Sequence, residues 1–126
     1  MRYAVIGSRT FADYGLLSSV LNKHFISQIV SGGARGADSL AARYALEKNI
    51  LLLEFIPNYP KYGKSAPFVR NKQIVQSADI TVAFWDMKSN GTRHALEYST
   101  KLNKKTIIVS FDSEIHIDKE FNLWQI

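Results

Sequence analysis

Ser31-Gly32-Gly33-Ala34-Arg35-Gly36-Ala37-Asp38 joins a short β-branched segment, Ile29-Val30, to a helical pattern that begins near Ala37. A phosphate cradle is built this way. Glycines let the backbone approach an anion without interference from Cβ, and the unpaired N–H groups and positive dipole end of the following helix point at it. Arg35 adds a planar fork of donors that fits phosphate or carboxylate. Many α/β chains use the same turn only as a tight corner, so the choice between the two depends on the other loops.

Outward from this turn the chain alternates apolar runs with helical patterns. The runs are Tyr3 to Ile6, Ile29 to Val30, Ile50 to Phe55, Ile80 to Phe84 and Thr106 to Phe111. All but the shortest have the continuous apolar character of strands buried on both faces. Leu16, Leu17, Val20 and Leu21 repeat at helix spacing after Asp13, a capping residue, and Leu40, Ala41, Tyr44 and Ala45 do so after Asp38. A third helix is predicted over Phe68 to Ser77 behind Pro67, and a fourth over Thr92 to Leu102. Strands and helices alternating at this length imply a parallel sheet covered on both sides, with the ligand crevice beyond the carboxyl ends of the strands. Gly7-Ser8-Arg9-Thr10, the Ser31 to Gly36 run and Trp85 to Gly91 each follow a strand, so all three face one crevice.

Ile56 to Pro67 holds all 3 prolines, with Tyr59, Tyr62 and Gly63 among them, and reads as an ordered loop at the crevice rim. Asp112 to Ile126 carries Ile115, Ile117, Phe121, Leu123 and Trp124, a pattern open between a terminal strand and docking on a partner subunit. Because this tail exceeds what five strands need, a homo-oligomer is expected.

A length of 126 residues with 46% hydrophobic content suits a single domain over 1–126, with 111–126 as a C-terminal extension. The absence of cysteine excludes disulfides, thiolate metal sites and cysteine nucleophiles, and fits a reducing compartment. The apolar stretch at the N-terminus is too short for a signal peptide and nothing approaches a membrane span, so a cytoplasmic protein is expected. Net charge +5 favours an anionic partner, either nucleic acid or a phosphorylated small molecule. His24, His94 and His116 show no metal-ligand spacing with carboxylates, and Gly7-Ser8-Arg9 lacks the second glycine of a nucleophile elbow. No metal and no cofactor is expected.

Gly7-Ser8-Arg9, the Ser31 to Asp38 run, Arg70-Asn71-Lys72 and Ser89-Asn90-Gly91-Thr92, in this order, resemble the SLOG superfamily. That superfamily unites the DNA-processing protein A family with the LONELY GUY phosphoribohydrolases. Tyr62-Gly63-Lys64-Ser65-Ala66, Ala83-Phe84-Trp85-Asp86 and Gly91-Thr92-Arg93-His94-Ala95 are similar to its YspA-like branch of small bacterial and phage proteins. The resemblance spans roughly residues 2–110 and is carried by the combination of motifs. It implies a Rossmann-like three-layer sandwich with a mostly parallel sheet, strand order 3-2-1-4-5, and a nucleotide or nucleotide derivative as ligand.

On this resemblance the ligand-binding set is Gly7, Ser8, Arg9, Ser31, Gly32, Gly33, Arg35, Gly36, Asp38, Arg70, Asn71, Trp85, Asp86, Ser89, Gly91 and Thr92. Gly32, Gly33, Arg35 and Gly36 would hold phosphate, Arg70 would reach a phosphate or a breaking glycosidic bond, Trp85 would stack on a base and Asp86 would accept from ribose hydroxyls. The phosphoribohydrolases carry a catalytic glutamate three residues after the threonine of a glycine-rich loop. Ala95 stands there, and Lys88 and Ser89 replace paired glycines. Cleaving an N-glycosidic bond needs a carboxylate or its equivalent, which leaves Arg70, Asp86 and Glu97 as catalytic candidates. Binding of a nucleotide-derived small molecule, in sensing or sequestration during bacterial or phage conflict signalling, is therefore favoured over phosphoribohydrolase activity. A DNA-binding module ranks third.

Overall fold

The computed structural model describes residues 1–111 and, as backbone only, 119–122. Strands β1 (Arg2–Gly7), β2 (Gln28–Ser31), β3 (Leu51–Glu54), β4 (Ile80–Trp85) and β5 (Lys105–Ser110) pair in parallel in the order β3-β2-β1-β4-β5. A sixth, β6 (Lys119–Asn122), runs antiparallel along β5. The helices are α1 (Tyr14–Leu21), α2 (Ala37–Lys48), α3 (Tyr59–Tyr62), α4 (Ala66–Ser77) and α5 (Asn90–Lys101).

Alternation along β1 shows how the layers form. Tyr3 and Val5 pack with Leu17 and Leu21 of α1 and Ala41 and Tyr44 of α2, whereas Ala4 and Ile6 pack with Ile74 and Val75 of α4 and Ala95 and Leu96 of α5. Successive side chains of a strand point to opposite faces, so an unbroken apolar run needs a cover on each side. The result is the expected α/β Rossmann-like sandwich, with helices on both faces. Two devices fix helix ends: Asp13 Oδ1 accepts from Leu16 N at 3.0 Å at the start of α1, and Asn49 takes the left-handed conformation (φ 58°) at the end of α2.

Several expectations change. The run around β3 is not buried on both faces: β3 is an edge strand, with Leu51, Leu52 and Leu53 at 71%, 36% and 38% exposure. The rim segment is not a loop throughout, since α3 and a 3₁₀ turn at Gly63–Ser65 lead directly into α4. Helix α4 begins at Ala66 with Pro67 inside its first turn, where the missing N–H costs nothing, and α5 begins at Asn90. Of the tail, 119–122 forms the terminal strand. Residues 112–118 and 123–126, with Ile115, Ile117, Leu123 and Trp124, lie outside the described residues.

The strand order reverses at β1, whose neighbours are β2 and β4. Connections leaving β1 and β4 therefore part to opposite sides, and a crevice opens beyond their carboxyl ends.

Candidate functional site

A cavity of about 360 Å³ occupies this crevice. Its walls come from the β1–α1 loop (Ser8, Arg9, Thr10), the β2–α2 turn (Ala34, Asp38), the first half of α4 and the β4–α5 connection with the start of α5. Ile6, Ile74 and Ala95 contribute apolar surface.

Ser8 is the junction. Its N–H donates to Phe84 O at 2.9 Å, its carbonyl accepts from Ala37 N at 3.3 Å, and its Oγ accepts from Asp86 N at 3.0 Å and shares a hydrogen bond with Ser89 Oγ at 3.0 Å. One buried residue thus ties the loops after β1 and β4 to the start of α2. Asp86 turns the second loop, its Oδ1 accepting from Lys88 N at 2.9 Å and Ser89 N at 2.8 Å. Partial burial works to raise the Asp86 carboxyl, but these two N–H groups and the Ser8 and Ser89 hydroxyls outweigh it and hold the group below its ordinary value. Asp86 lines the cavity as a carboxylate.

Across the cavity, Arg70 donates from Nη1 to Gly32 O at 2.8 Å and from Nε to Asn71 Oδ1 at 3.1 Å. Asn71 in turn donates to Gly91 O at 3.2 Å, which fixes α4 against the start of α5. Burial lowers the Arg70 pKa, the attraction of Asp38 opposes this, and the repulsion of Arg9 adds to it. Arg9 and Arg70 are therefore close enough to influence one another, and both line the cavity. The first-turn N–H groups of α5 add positive potential on the same wall, where Gly91 faces open space.

The glycine-rich turn behaves differently from a cradle open to solvent. Asp38, only 7% exposed, places its own Oδ2 3.1 Å from Ala34 N, so a carboxyl supplied by the chain already occupies that donor of the turn. Burial pushes the Asp38 carboxyl above its usual range, partly offset by the Ala34 N–H and the Arg70 charge. A Cβ on Gly32 would stand 2.5 Å from Arg70 Nη1 and 2.8 Å from Asp38 Oδ2. Gly36 has φ +75°, and a Cβ there would stand 2.3 Å from Ser8 O. Gly36 is required by backbone contacts within the protein, whereas a Cβ at Gly32 would displace the Arg70 and Asp38 side-chain ends.

Of the residues expected at the site, Gly7, Ser8, Arg9, Asp38, Arg70, Asn71, Asp86, Ser89, Gly91 and Thr92 line the cavity. Ser31, Gly32, Gly33, Arg35, Gly36, Trp85 and Glu97 do not. Ser31 is buried and donates to Val5 O at 3.0 Å, while Arg35 and Glu97 are exposed. Trp85 is buried, its Nε1 donates to Ser89 O at 3.1 Å, and the Arg93 guanidinium lies 5.1 Å from its ring centre, so the indole supports the loop from beneath. Ala95 lines the cavity, and Asp38 and Asp86 are the carboxyl-bearing residues that line it among the described residues. Phe68 lines the cavity and was missed, because an aromatic residue in an amphipathic helix reads as core.

The family model described as "YspA, cpYpsA-related SLOG family" matches residues 1–62. Gene 61 protein of Mycobacterium phage D29 is 32% identical over 111 residues, an alignment covering 79% of this chain and 89% of that protein. Among solved structures, DNA processing protein A from Helicobacter pylori, described for its single-stranded DNA binding mode, superposes with a TM-score of 0.68 at 22% identity, covering 94% of this chain and 68% of that one. At that identity the likeness concerns the fold.

Proposed function

Because the chain belongs to the YspA, cpYpsA-related SLOG family, we propose that its cavity binds a nucleotide or nucleotide-derived small molecule, ADP-ribose-like, cyclic or a nucleoside phosphate, as a sensing or sequestering module. The observation that carries this reading is the convergence of Arg9 and Arg70 on one cavity of about 360 Å³. Two guanidiniums near one another repel, and a phosphate between them relieves the repulsion while gaining charge-assisted hydrogen bonds. The volume lies in the range of small-molecule sites, about 300 to 1,000 Å³. Calorimetric titration with AMP, ADP-ribose and cyclic AMP tests the reading. Arg70→Ala should lower affinity about ten-fold or more, since a hydrogen bond to a charged group contributes roughly 1.5 to 3 kcal/mol. Equal affinity in a folded Arg70→Ala variant, or no binding of any of the three by the wild type, removes it.

Binding without cleavage is part of the proposal. Ala95 offers no acid or base, Glu97 is exposed outside the cavity, and the Asp86 carboxylate is engaged by two backbone N–H groups. Release of free base from AMP by the wild type, lost in Asp86→Asn, would convert the module into a hydrolase. A second reading, binding of single-stranded DNA, is favoured by the net charge of +5 and by the Helicobacter pylori relative's fold. Its mark would be retention of a labelled oligothymidylate that weakens steeply as salt rises.

A further inference from the structure

Phe68 is 45% exposed and lines the cavity, the sole aromatic ring to do so among the described residues. It stands on the first turn of α4 behind Pro67, and its ring meets the imidazole of His94 on α5 edge to face, with centroids 4.7 Å apart and planes at 67°. The His94 Nδ1 is buried without a hydrogen-bond partner among the described residues, and burial together with the Lys72 charge keeps its pKa below the ordinary value, so the imidazole is neutral at pH 7. Glu97 acts in the opposite sense but more weakly. Phe68 is thus supported from the α5 side and bare on the cavity side, beside the apolar surface of Pro67, Ile74 and Ala95.

One cavity therefore presents two features a ligand can answer, the guanidiniums of Arg9 and Arg70, the latter already held by Gly32 O and Asn71 Oδ1, and an uncovered ring at Phe68. Inorganic phosphate or a ribose phosphate satisfies the first and leaves the ring in water. A nucleotide answers both, because every base has a face that stacks on an aromatic ring. We propose that Phe68, backed by His94, is the platform on which the base of the bound molecule stacks, so that the site selects phosphates carrying an intact planar base over base-free sugar phosphates. This inference rests on the reading of the cavity as a phosphate site. Stacking reads the face of a base and not its edge, so purines should bind more tightly than pyrimidines with little discrimination between adenine and guanine.

The test is calorimetry with AMP, ribose 5-phosphate and inorganic phosphate on the wild type, Phe68→Ala and Phe68→Trp. Phe68 is half exposed, so both variants are expected to fold, and circular dichroism verifies this. The wild type should prefer AMP to ribose 5-phosphate by about ten-fold or more, Phe68→Ala should erase that preference while leaving ribose 5-phosphate within about two-fold, and Phe68→Trp should retain it. Equal wild-type affinity for AMP and ribose 5-phosphate, or an unchanged preference in Phe68→Ala, overturns the platform and leaves the phosphate reading standing. Failure of the wild type to bind any of the three overturns the platform, and the phosphate reading then stands or falls on the titrations with ADP-ribose and cyclic AMP.

Discussion

Asp86 shows how one side chain serves the site before any ligand arrives. It turns the loop after β4 by accepting from two successive backbone donors, and that loop carries Ser89 to the Ser8 hydroxyl. Because its folded pKa is depressed, the ionised form contributes stability that is complete above the unfolded value of about 3.9 and disappears as pH falls through the lower folded value. Asp86→Asn should therefore melt at a lower temperature than the wild type at pH 7. The gap should narrow once pH drops below about 4, as thermal unfolding followed by circular dichroism at both pH values would show. A constant gap would mean that Asp86 acts through shape rather than charge.

At the scale of elements, α4 presents both site residues and support, and its far end is secured by a residue distant in sequence. Lys104, just ahead of β5, donates from Nζ to Val75 O, Gln76 O and Ala78 O at 2.8, 3.0 and 2.6 Å. Cations favour the carbonyl end of a helix, and α4 has no basic residue in its own last turn. Lys104→Met should cost about 1.5 to 3 kcal/mol in urea unfolding and accelerate amide exchange at the end of α4. No local pattern reveals this contact, which links residues 26 to 29 apart. What was legible in the sequence has a local cause: apolar runs long enough to need two covers, Asp13 ahead of a periodic segment, and proline at a helix start. The four-residue α3 is shorter than any reliable period, and the exposure of Leu51 to Leu53 follows from strand order, which no run of leucines encodes. The same divide holds at the site. Arg9 and Ser89 lie in loops that follow strands, and Arg70 is reached through the resemblance, whereas the separation of Arg35 from the cavity depends on where α2 packs.

For the molecule as a whole, the two sheet edges are unequal. Strand β6 covers the β5 side, while among the described residues β3 leaves its outer backbone groups and three leucines open, with Leu46 and Ile56 also exposed. An apolar, unpaired edge is a template for another strand. We propose self-association through β3, while the oligomer expected from Phe121, Leu123 and Trp124 concerns side chains outside the described residues. Light scattering should report about twice the 14.3 kDa chain mass, falling to the monomer in Leu52→Lys; a wild-type monomer at every concentration would refute it. The turn from Ser31 to Asp38 has a different implication, for how such motifs are inherited. Gly32 and Gly36 answer to Arg70, Asp38 and Ser8, atoms present whether or not a ligand ever visits. A chain of this fold that bound nothing would still need Gly36, which meets Ser8 and Arg9 backbone at positive φ, while Gly32, Arg9, Arg70 and Phe68 would be free to change. Gly36 therefore reports the fold, and the residues that report a function are those whose side chains line the cavity.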